Sequence, residues 1–301
     1  MKRLYYSDQY EIPLPPGHKF PVRKYRLLRE TLAACGLFRL EPAPQADPRV
    51  IELAHEADYV RRFLEGTLSA AEVRRIGFPW SEGLVQRTLA SVGGTLAAAD
   101  DALATGFGGT LSGGTHHASR SAGSGFCVFN DIAVAARSLM AQQRVERVAV
   151  VDLDVHQGDG TAEIFAAEPR VLTRSVHARN NFPFRKRAGD IDVELEDGVG
   201  DAEYLAVLER VLPAAFEFAP DIVFYQSGVD ALASDRLGKL SLTHAGLAER
   251  DGLVFEQCRR HGVPVVVTLG GGYSEPVELT VQAHAATFLT AAKILAADSR
   301  R

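Results

Sequence analysis

From about residue 110 onward, short apolar runs alternate with longer stretches in which apolar residues recur every three or four positions. The apolar runs, at 148–154, 171–176, 221–226 and 263–269, are typical of strands that are buried on both faces. The periodic stretches, at 130–142, 161–167, 201–218, 243–260 and 276–297, predict helices. Alternating strands and helices indicate an α/β protein whose central sheet is mainly parallel, with helices on both faces.

The first hundred residues have a weaker pattern. Residues 4–7 predict a first strand, and residues 22–34, 57–64 and 81–104 predict helices, the last interrupted near Gly93-Gly94. Prolines exclude regular structure from 11–18, and residues 41–48 are interpreted as another connection interrupted by prolines. Because no linker, composition break or repeat divides the chain, we interpret residues 1–301 as a single domain.

The strand at 148–154 ends in side chains that a buried strand does not need. Asp152, Asp154 and His156 lie two residues apart, so in extended backbone they point to the same side. Unpaired buried carboxylates cost about several kcal/mol each, which favours a functional role. One interpretation is a metal site; the other is a salt-bridged strand end that caps the next helix.

Two further apolar runs are followed by unusual polar residues. Asp230 follows the run at 221–226, and Tyr273 follows the run at 263–269 through Gly270-Gly271-Gly272. Since ligands of open α/β sheets bind beyond the carboxyl ends of the strands, we expect these side chains to share one site. Asp230 could instead cap the next turn, and Tyr273 could be a surface tyrosine.

Asp154, His156 and Asp230 together would form a one-histidine, two-carboxylate metal site. Three protein ligands leave an open position, as in catalytic zinc sites, although these ligand types also suit iron(II) and manganese. A dinuclear site would require further acidic ligands, but Gly158 and Leu232 stand two residues beyond His156 and Asp230. The residues therefore predict one metal ion.

The pair His116-His117 lies in a glycine-flanked loop after a short strand ending near 110–111. Imidazoles suit proton transfer to and from a metal-bound water and a leaving amine. Each ring requires an acceptor for its second nitrogen, and Asp152 and Asp159 are the natural candidates. In the alternative interpretation, one histidine belongs to the core and the other to the surface. A Tyr273 hydroxyl would stabilise a developing oxyanion.

Composition narrows the class of protein. The chain is 46% apolar and 24% charged, as expected for a soluble globular protein. Its net charge of -5 and the lack of a broad basic stripe argue against direct nucleic-acid binding. The cluster at 185–187 is more typical of a solvated turn. Three cysteines without a CxxC pair, no signal-peptide pattern and no membrane-spanning run predict a cytoplasmic protein.

Five motifs occur together in one order, and they resemble those of the zinc-dependent histone deacetylase family, within the arginase/deacetylase fold. The motifs are at 114–118, 125–127, 151–160, 227–230 and 270–273. Within the family, the chain is most similar to class IV deacetylases and their bacterial relatives, through its segments at 13–18, 156–158 and 234–242.

The resemblance implies the following roles. Zn²⁺ is held by Asp154, His156 and Asp230, protons are transferred by His116 and His117, and the carbonyl is polarised by Tyr273. An acyl-lysine tunnel is lined by Gly125 and Phe126. A structural K⁺ is surrounded by Asp152, Asp154, His156 and Ser175. The family's second tunnel aromatic has no unique match, because Phe182 and Phe184 occur in an altered setting and either or neither could line the opening.

These features predict a zinc-dependent amidohydrolase that removes an acetyl or longer fatty acyl group from the ε-amine of lysine in a protein or peptide. The resemblance to class IV makes long acyl groups a candidate substrate. A second hypothesis is a deacetylase of acylated polyamines or other small amides. A third is a non-catalytic binding module, which the complete set of motif residues disfavours.

Overall fold

A computed structural model describes residues 1–295 of the chain. Eight parallel strands form one sheet in the order β2-β1-β3-β8-β7-β4-β5-β6. The strands are β1 (Lys2–Tyr6), β2 (Phe38–Pro42), β3 (Phe107–Thr110), β4 (Val148–Asp152), β5 (Val171–Ala178), β6 (Ile191–Leu195), β7 (Ile222–Gln226) and β8 (Val265–Thr268).

Helices connect most of these strands. They are α1 (Arg23–Cys35), α2 (Pro48–Ile51), α3 (Ala57–Leu64), α4 (Ala70–Ile76), α5 (Glu82–Thr105), α6 (Asp131–Ala141), α7 (Asp159–Phe165), α8 (Asp201–Val211), α9 (Pro213–Glu217), α10 (His244–His261) and α11 (Val277–Leu295). The predicted helix at 276–297 is present to residue 295, and its last two positions lie outside the described residues.

The sheet separates two hydrophobic layers. One layer contains buried side chains of α1, α8, α10 and α11, and the other contains those of α3, α5, α6 and α7. Strands β4, β7 and β8 alternate between the layers; for example, Val151 faces the first and Val150 the second. The predicted α/β class, with a parallel sheet and helices on both faces, is therefore confirmed. That residues 1–301 form one domain stays a prediction.

Two predictions about helix continuity are wrong. Helix α5 continues through Gly93-Gly94, where an interruption was predicted. The glycines serve close packing, since a Cβ on Gly93 would lie 1.9 Å from the Pro44 carbonyl oxygen. The helix predicted at 201–218 is divided at Pro213 into α8 and α9, because proline cannot donate the helical hydrogen bond.

The pattern also missed the two edge strands, β2 and β6. In β6 only Leu195 is fully buried, and its outer face carries Asp192 and Glu194. A strand with so few buried positions resembles a loop in sequence. Among the described residues, no helix has both the length and the apolar character that crossing a bilayer requires.

Candidate metal centre and active site

Loops after four neighbouring strands build the site. Strands β3, β8, β7 and β4 are consecutive in the sheet, and their carboxyl ends lead to His117, Tyr273, Asp230 and Asp154. The site therefore lies at the sheet edge where ligands of open α/β sheets bind.

Asp154, His156 and Asp230 come together as the sequence predicted. The His156 Nδ1 lies 3.0 Å from an Asp154 oxygen and 3.0 Å from an Asp230 oxygen. One ligand atom of each residue lies within 4.8 Å of the others, and all three side chains are buried. Strands β4 and β7 are paired with Asp152 opposite Gln226, the last residue of each strand. The two loops that follow therefore begin at the same height along the strand direction.

Backbone amides and glycines hold the two carboxylates in place. The Gly271 N–H donates to Asp154 (2.8 Å), and the Val155 N–H donates to Asp230 (2.9 Å). A Cβ on Gly271 would lie 1.8 Å from an Asp230 oxygen, and a Cβ on Gly228 would lie 2.2 Å from an Asp154 oxygen. Only glycine allows the backbone to approach these carboxylates so closely.

The charges of this group favour a bound cation. Burial, followed by the neighbouring Asp154 carboxylate, raises the pKa of Asp230 to about 7. Burial also disfavours the charged form of His156 and so lowers its pKa. Hydrogen bonds to Asp154 and Asp230 outweigh this effect and raise the pKa of His156 to about 10. Two adjacent buried carboxylates share one imidazole, so a divalent cation would relieve their repulsion. The three residues therefore fit a metal ion.

His116 and His117 lie beside this group, each paired with one aspartate. The His116 Nδ1 is 2.7 Å from Asp152, and the His117 Nδ1 is 2.7 Å from Asp159. The ring centroids of the two histidines are 4.1 Å apart, and both side chains are buried. With Nδ1 held by a carboxylate, each ring keeps Nε2 for proton transfer.

The environments of the two histidines shift their pKa values in opposite directions. Burial lowers the pKa of His116, but the Asp152 and Asp154 carboxylates outweigh it and raise the value to about 9. Burial and then the charge of His116 lower the pKa of His117 to about 4. These values apply to the protein without a cation. Two titratable groups whose pKa values are driven apart are suited to act as an acid and a base.

Tyr273 borders the same cavity as the metal group and the histidines. Its backbone N–H donates to Asp235 (2.6 Å), and the side chain is buried. Burial and then the nearby Asp230 carboxylate raise the pKa of the Tyr273 phenol well above its ordinary value. The hydroxyl therefore stays protonated and can donate a hydrogen bond to a substrate oxygen.

A cavity of about 610 Å³ leads from the metal group to the surface. Gly125 and Phe126 lie on one wall, and Phe182 packs edge-on against His117 with ring centroids 4.9 Å apart. Phe184 also borders the cavity but is 86% exposed, so it lies at the opening. Both phenylalanines left open by the sequence thus border the cavity, Phe182 beside the histidines and Phe184 at the mouth.

The residues named for a potassium ion lie together beside the metal group. Ser175 is paired with Asp152 between β5 and β4, and its hydroxyl is 2.9 Å from the His177 Nδ1. The Asp152 oxygens are engaged by His116 and by the Asp154 N–H. The potassium site stays a prediction.

The sequence interpretation missed Arg250, a fully buried residue of α10. Its guanidinium pairs with Asp251 (2.8 Å) and donates to the carbonyl oxygens of Leu153 (3.1 Å) and Gly228 (2.6 Å). It thereby links the two loops that carry the metal group. The sequence did contain an indication that Arg250 is buried, because Arg250 and Asp251 occupy the same helical face as the apolar residues Leu247, Val254 and Phe255.

Asp131 was also missed. Its carboxylate accepts hydrogen bonds from the backbone N–H groups of Gly114 (3.1 Å) and Thr115 (2.7 Å) and from the Thr95 hydroxyl (2.6 Å). These bonds fix the turn that precedes His116. A charged residue in the first turn of α6 can be satisfied locally by the helix, so its sequence position carried no signal of this role.

Comparisons with known proteins agree with this geometry. A model of the histone deacetylase domain matches residues 18–289. An uncharacterized protein of Picosynechococcus sp. is 45% identical over 283 residues, covering 93% of this chain and 94% of the relative. A histone deacetylase-like amidohydrolase of Pseudomonas aeruginosa is 34% identical over 284 residues, covering 87% of this chain and 74% of the relative.

A solved structure shares the fold. The acetylpolyamine aminohydrolase of Burkholderia pseudomallei superposes with a TM-score of 0.81 at 22% identity, covering 97% of this chain and 98% of that protein. At this identity the likeness concerns the fold, which is that of the arginase/deacetylase class.

Proposed function

Since the chain belongs to the histone deacetylase family, we propose that it is a metal-dependent amidohydrolase that removes an acyl group from the ε-amine of an acylated lysine. One observation carries the proposal. The buried Asp154–His156–Asp230 group borders the same cavity as two buried histidines, each paired with an aspartate, and a buried tyrosine.

Asp154, His156 and Asp230 would hold one ion, for which we propose Zn²⁺; iron(II) also accepts ligands of these types. When bound, the ion would acidify a water molecule and polarise the acyl carbonyl.

The remaining residues would move protons and position the substrate. His117, whose Nδ1 is held by Asp159, can accept a proton at Nε2 as water adds to the carbonyl carbon. His116, whose Nδ1 is held by Asp152, can donate a proton from Nε2 to the amine as the C–N bond breaks. The Tyr273 hydroxyl would donate to the carbonyl oxygen. The products are a carboxylate and a free lysine amine.

Two substitutions separate the metal group from the tyrosine. Tyr273→Phe should retain one metal ion per chain but lose turnover on an acetyl-lysine peptide by about 10²–10³-fold, because one oxyanion donor is removed. Asp154→Ala should lose both the metal and the activity. Metal content by plasma mass spectrometry and peptide deacylation by chromatography measure the two effects.

Tyr10→Phe is the matched control, because Tyr10 does not border the cavity. Unimpaired deacylation by either Tyr273→Phe or Asp154→Ala would refute the assigned roles.

An acylated polyamine is the alternative substrate, as named for the Burkholderia pseudomallei neighbour. Comparing kcat/KM on acetyl-lysine peptides and N-acetylpolyamines distinguishes the two. A series of acyl-lysine peptides from acetyl to myristoyl tests the acyl length that the resemblance to class IV deacetylases suggests. The class IV likeness and the cytoplasmic location stay predictions.

A further inference from the structure

The mouth of the active-site cavity is lined by cations. Lys19, Arg74, Arg75 and Lys239 all border the cavity and are exposed to solvent. The carboxylates that border it are Asp154 and Asp230, and both are buried in the metal group. The outer part of this cavity is therefore positive, although the chain as a whole has a net charge of -5.

Most of this positive charge is not neutralised by the protein. Lys239 is 3.4 Å from Asp197, whereas Lys19, Arg74 and Arg75 form no ion pair within residues 1–295. Nearby Glu72 is engaged by Arg62, in α3, at 2.8 Å. Arg74 and Arg75 lie in the last turn of α4, where basic residues stabilise the helix by interacting with its dipole. That benefit explains their presence in the helix, but not their position at the cavity.

Helix α4 is fixed to the wall of the tunnel. The Gly125 N–H donates to the Arg75 carbonyl (3.1 Å), and the Phe126 N–H donates to the Ile76 carbonyl (2.7 Å). The helix begins with a reciprocal capping pair of Ser69 and Glu72. The backbone that carries both arginines is thus held against the substrate entrance. The arginine side chains would therefore lie beside the residues that flank the acylated amine.

We propose that this basic mouth selects acyl-lysine polypeptides whose neighbouring residues are Asp or Glu, and that it disfavours polycationic substrates such as acylated polyamines. The proposal rests on the proposed deacylase function and specifies its substrate class. Carboxylates that flank the acyl-lysine would lie beside Arg74 and Arg75, while the free ammonium groups of an acylpolyamine would be repelled.

The experiment compares three acetyl-lysine peptides that differ only in their flanking residues, which are glutamate, glutamine or lysine, together with an N-acetylpolyamine. At low ionic strength, kcat/KM should be about tenfold higher for the glutamate peptide than for the lysine peptide, and about 0.5 M salt should remove most of the difference. Arg74→Glu with Arg75→Glu should reverse the order of the peptides.

Arg74→Glu and Arg75→Glu are also made singly, and Arg260→Glu is the matched control for each of these single variants. Arg260 lies in the last turn of α10, so the substitution costs the same kind of helix-dipole energy. This turn precedes the amino end of β8, at the sheet edge opposite the site. The control should keep the preference for the glutamate peptide.

Binding of the same peptides to Tyr273→Phe, measured by fluorescence anisotropy, separates this inference from the proposed function. Hydrolysis without a charge preference, or a preference that survives the double substitution, would overturn the basic-mouth inference and leave the deacylase intact. A binding preference that the Arg74 and Arg75 substitutions abolish would support the basic mouth even if no peptide were hydrolysed.

Discussion

At the scale of single residues, the spacing at the end of β4 accounts for two of the three residues of the metal group. Strand β4 ends at Asp152, and hydrogen bonds from the Asp154 N–H to the Asp152 carboxylate and from the His156 N–H to the Asp154 carboxylate order the loop that follows. Local two-residue spacing thus placed Asp154 and His156 together, while Asp152 turned to His116.

His55 is a further residue whose environment has a measurable consequence. It is buried, its Nδ1 donates to the Ser119 carbonyl (2.9 Å), and its Nε2 accepts from the Asn130 N–H (2.8 Å). Only the neutral ring can make both bonds. Burial lowers the pKa of His55 to about 4, despite the opposing effect of the Ser119 bond.

We therefore expect His55 to contribute to acid sensitivity. Below an unfolded-state pKa of about 6.5, the unfolded chain binds a proton that the folded chain does not, so stability falls as the pH decreases toward 4. We expect His55 to contribute about 3 kcal/mol over this window. Urea unfolding at a series of pH values should show a shallower dependence for His55→Gln. An unchanged dependence would contradict the assignment. His117, His177 and His284 also have lowered pKa values, so part of the pH dependence should remain in this variant.

At the scale of elements, glycines within helices have different roles that the sequence does not distinguish. Gly93 in α5 packs against the carbonyl of Pro44. Gly252 in α10 has open space, since a Cβ at this position would have the Ile294 Cδ1 as its nearest neighbour, at 3.9 Å. Close packing therefore requires glycine at position 93, whereas position 252 has room for a side chain.

Alanine substitution should consequently change the free energy of unfolding in opposite directions at these two positions. Gly252→Ala should stabilise the protein by about 0.5–1 kcal/mol, because it improves helix propensity without a clash. Gly93→Ala should destabilise it by about 1–3 kcal/mol, since α5 or the segment around Pro44 must move. Chemical denaturation measures both, and each variant serves as the control for the other. Equal effects would show that packing at Gly93 is unimportant.

At the scale of the whole molecule, the metal group joins parts of the chain that are distant in sequence. Asp154 and His156 follow β4, Asp230 follows β7, and the loop after β8 donates to Asp154 through Gly271. Without a cation, two buried carboxylates repel each other across these loops. Metal binding and folding should therefore be coupled.

Removal of the metal with a chelator should lower the melting temperature by several degrees, and addition of Zn²⁺ should restore it. At a free ion concentration of about a thousand times Kd, binding adds roughly 4 kcal/mol to the stability of the native state. Differential scanning calorimetry measures the shift. Asp154→Asn should not respond to added Zn²⁺. Identical melting of the treated and untreated proteins would count against metal binding at this site.

Much of the fold was predictable because buried parallel strands and long helices have strong periodic signals. Strands β4, β5, β7 and β8 were found with boundaries close to those observed. The edge strands β2 and β6 were not, because they are short and half-exposed, so their patterns resemble those of loops. Arg250 was missed because an arginine in a helix is ordinarily solvent-exposed, although this one lies on the apolar face of α10 and is buried.

By itself, the sequence determined the parallel α/β class and the residues that gather at one sheet edge, since these follow from periodicity and from the ends of strands. Tertiary structure alone decided the charge at the cavity mouth. Lys19, Arg74 with Arg75, and Lys239 belong to three separate segments, while the one basic cluster visible in the sequence, at 185–187, does not border the cavity. Charges that are distant along the chain become neighbours only when the segments pack, and a linear pattern does not record that proximity.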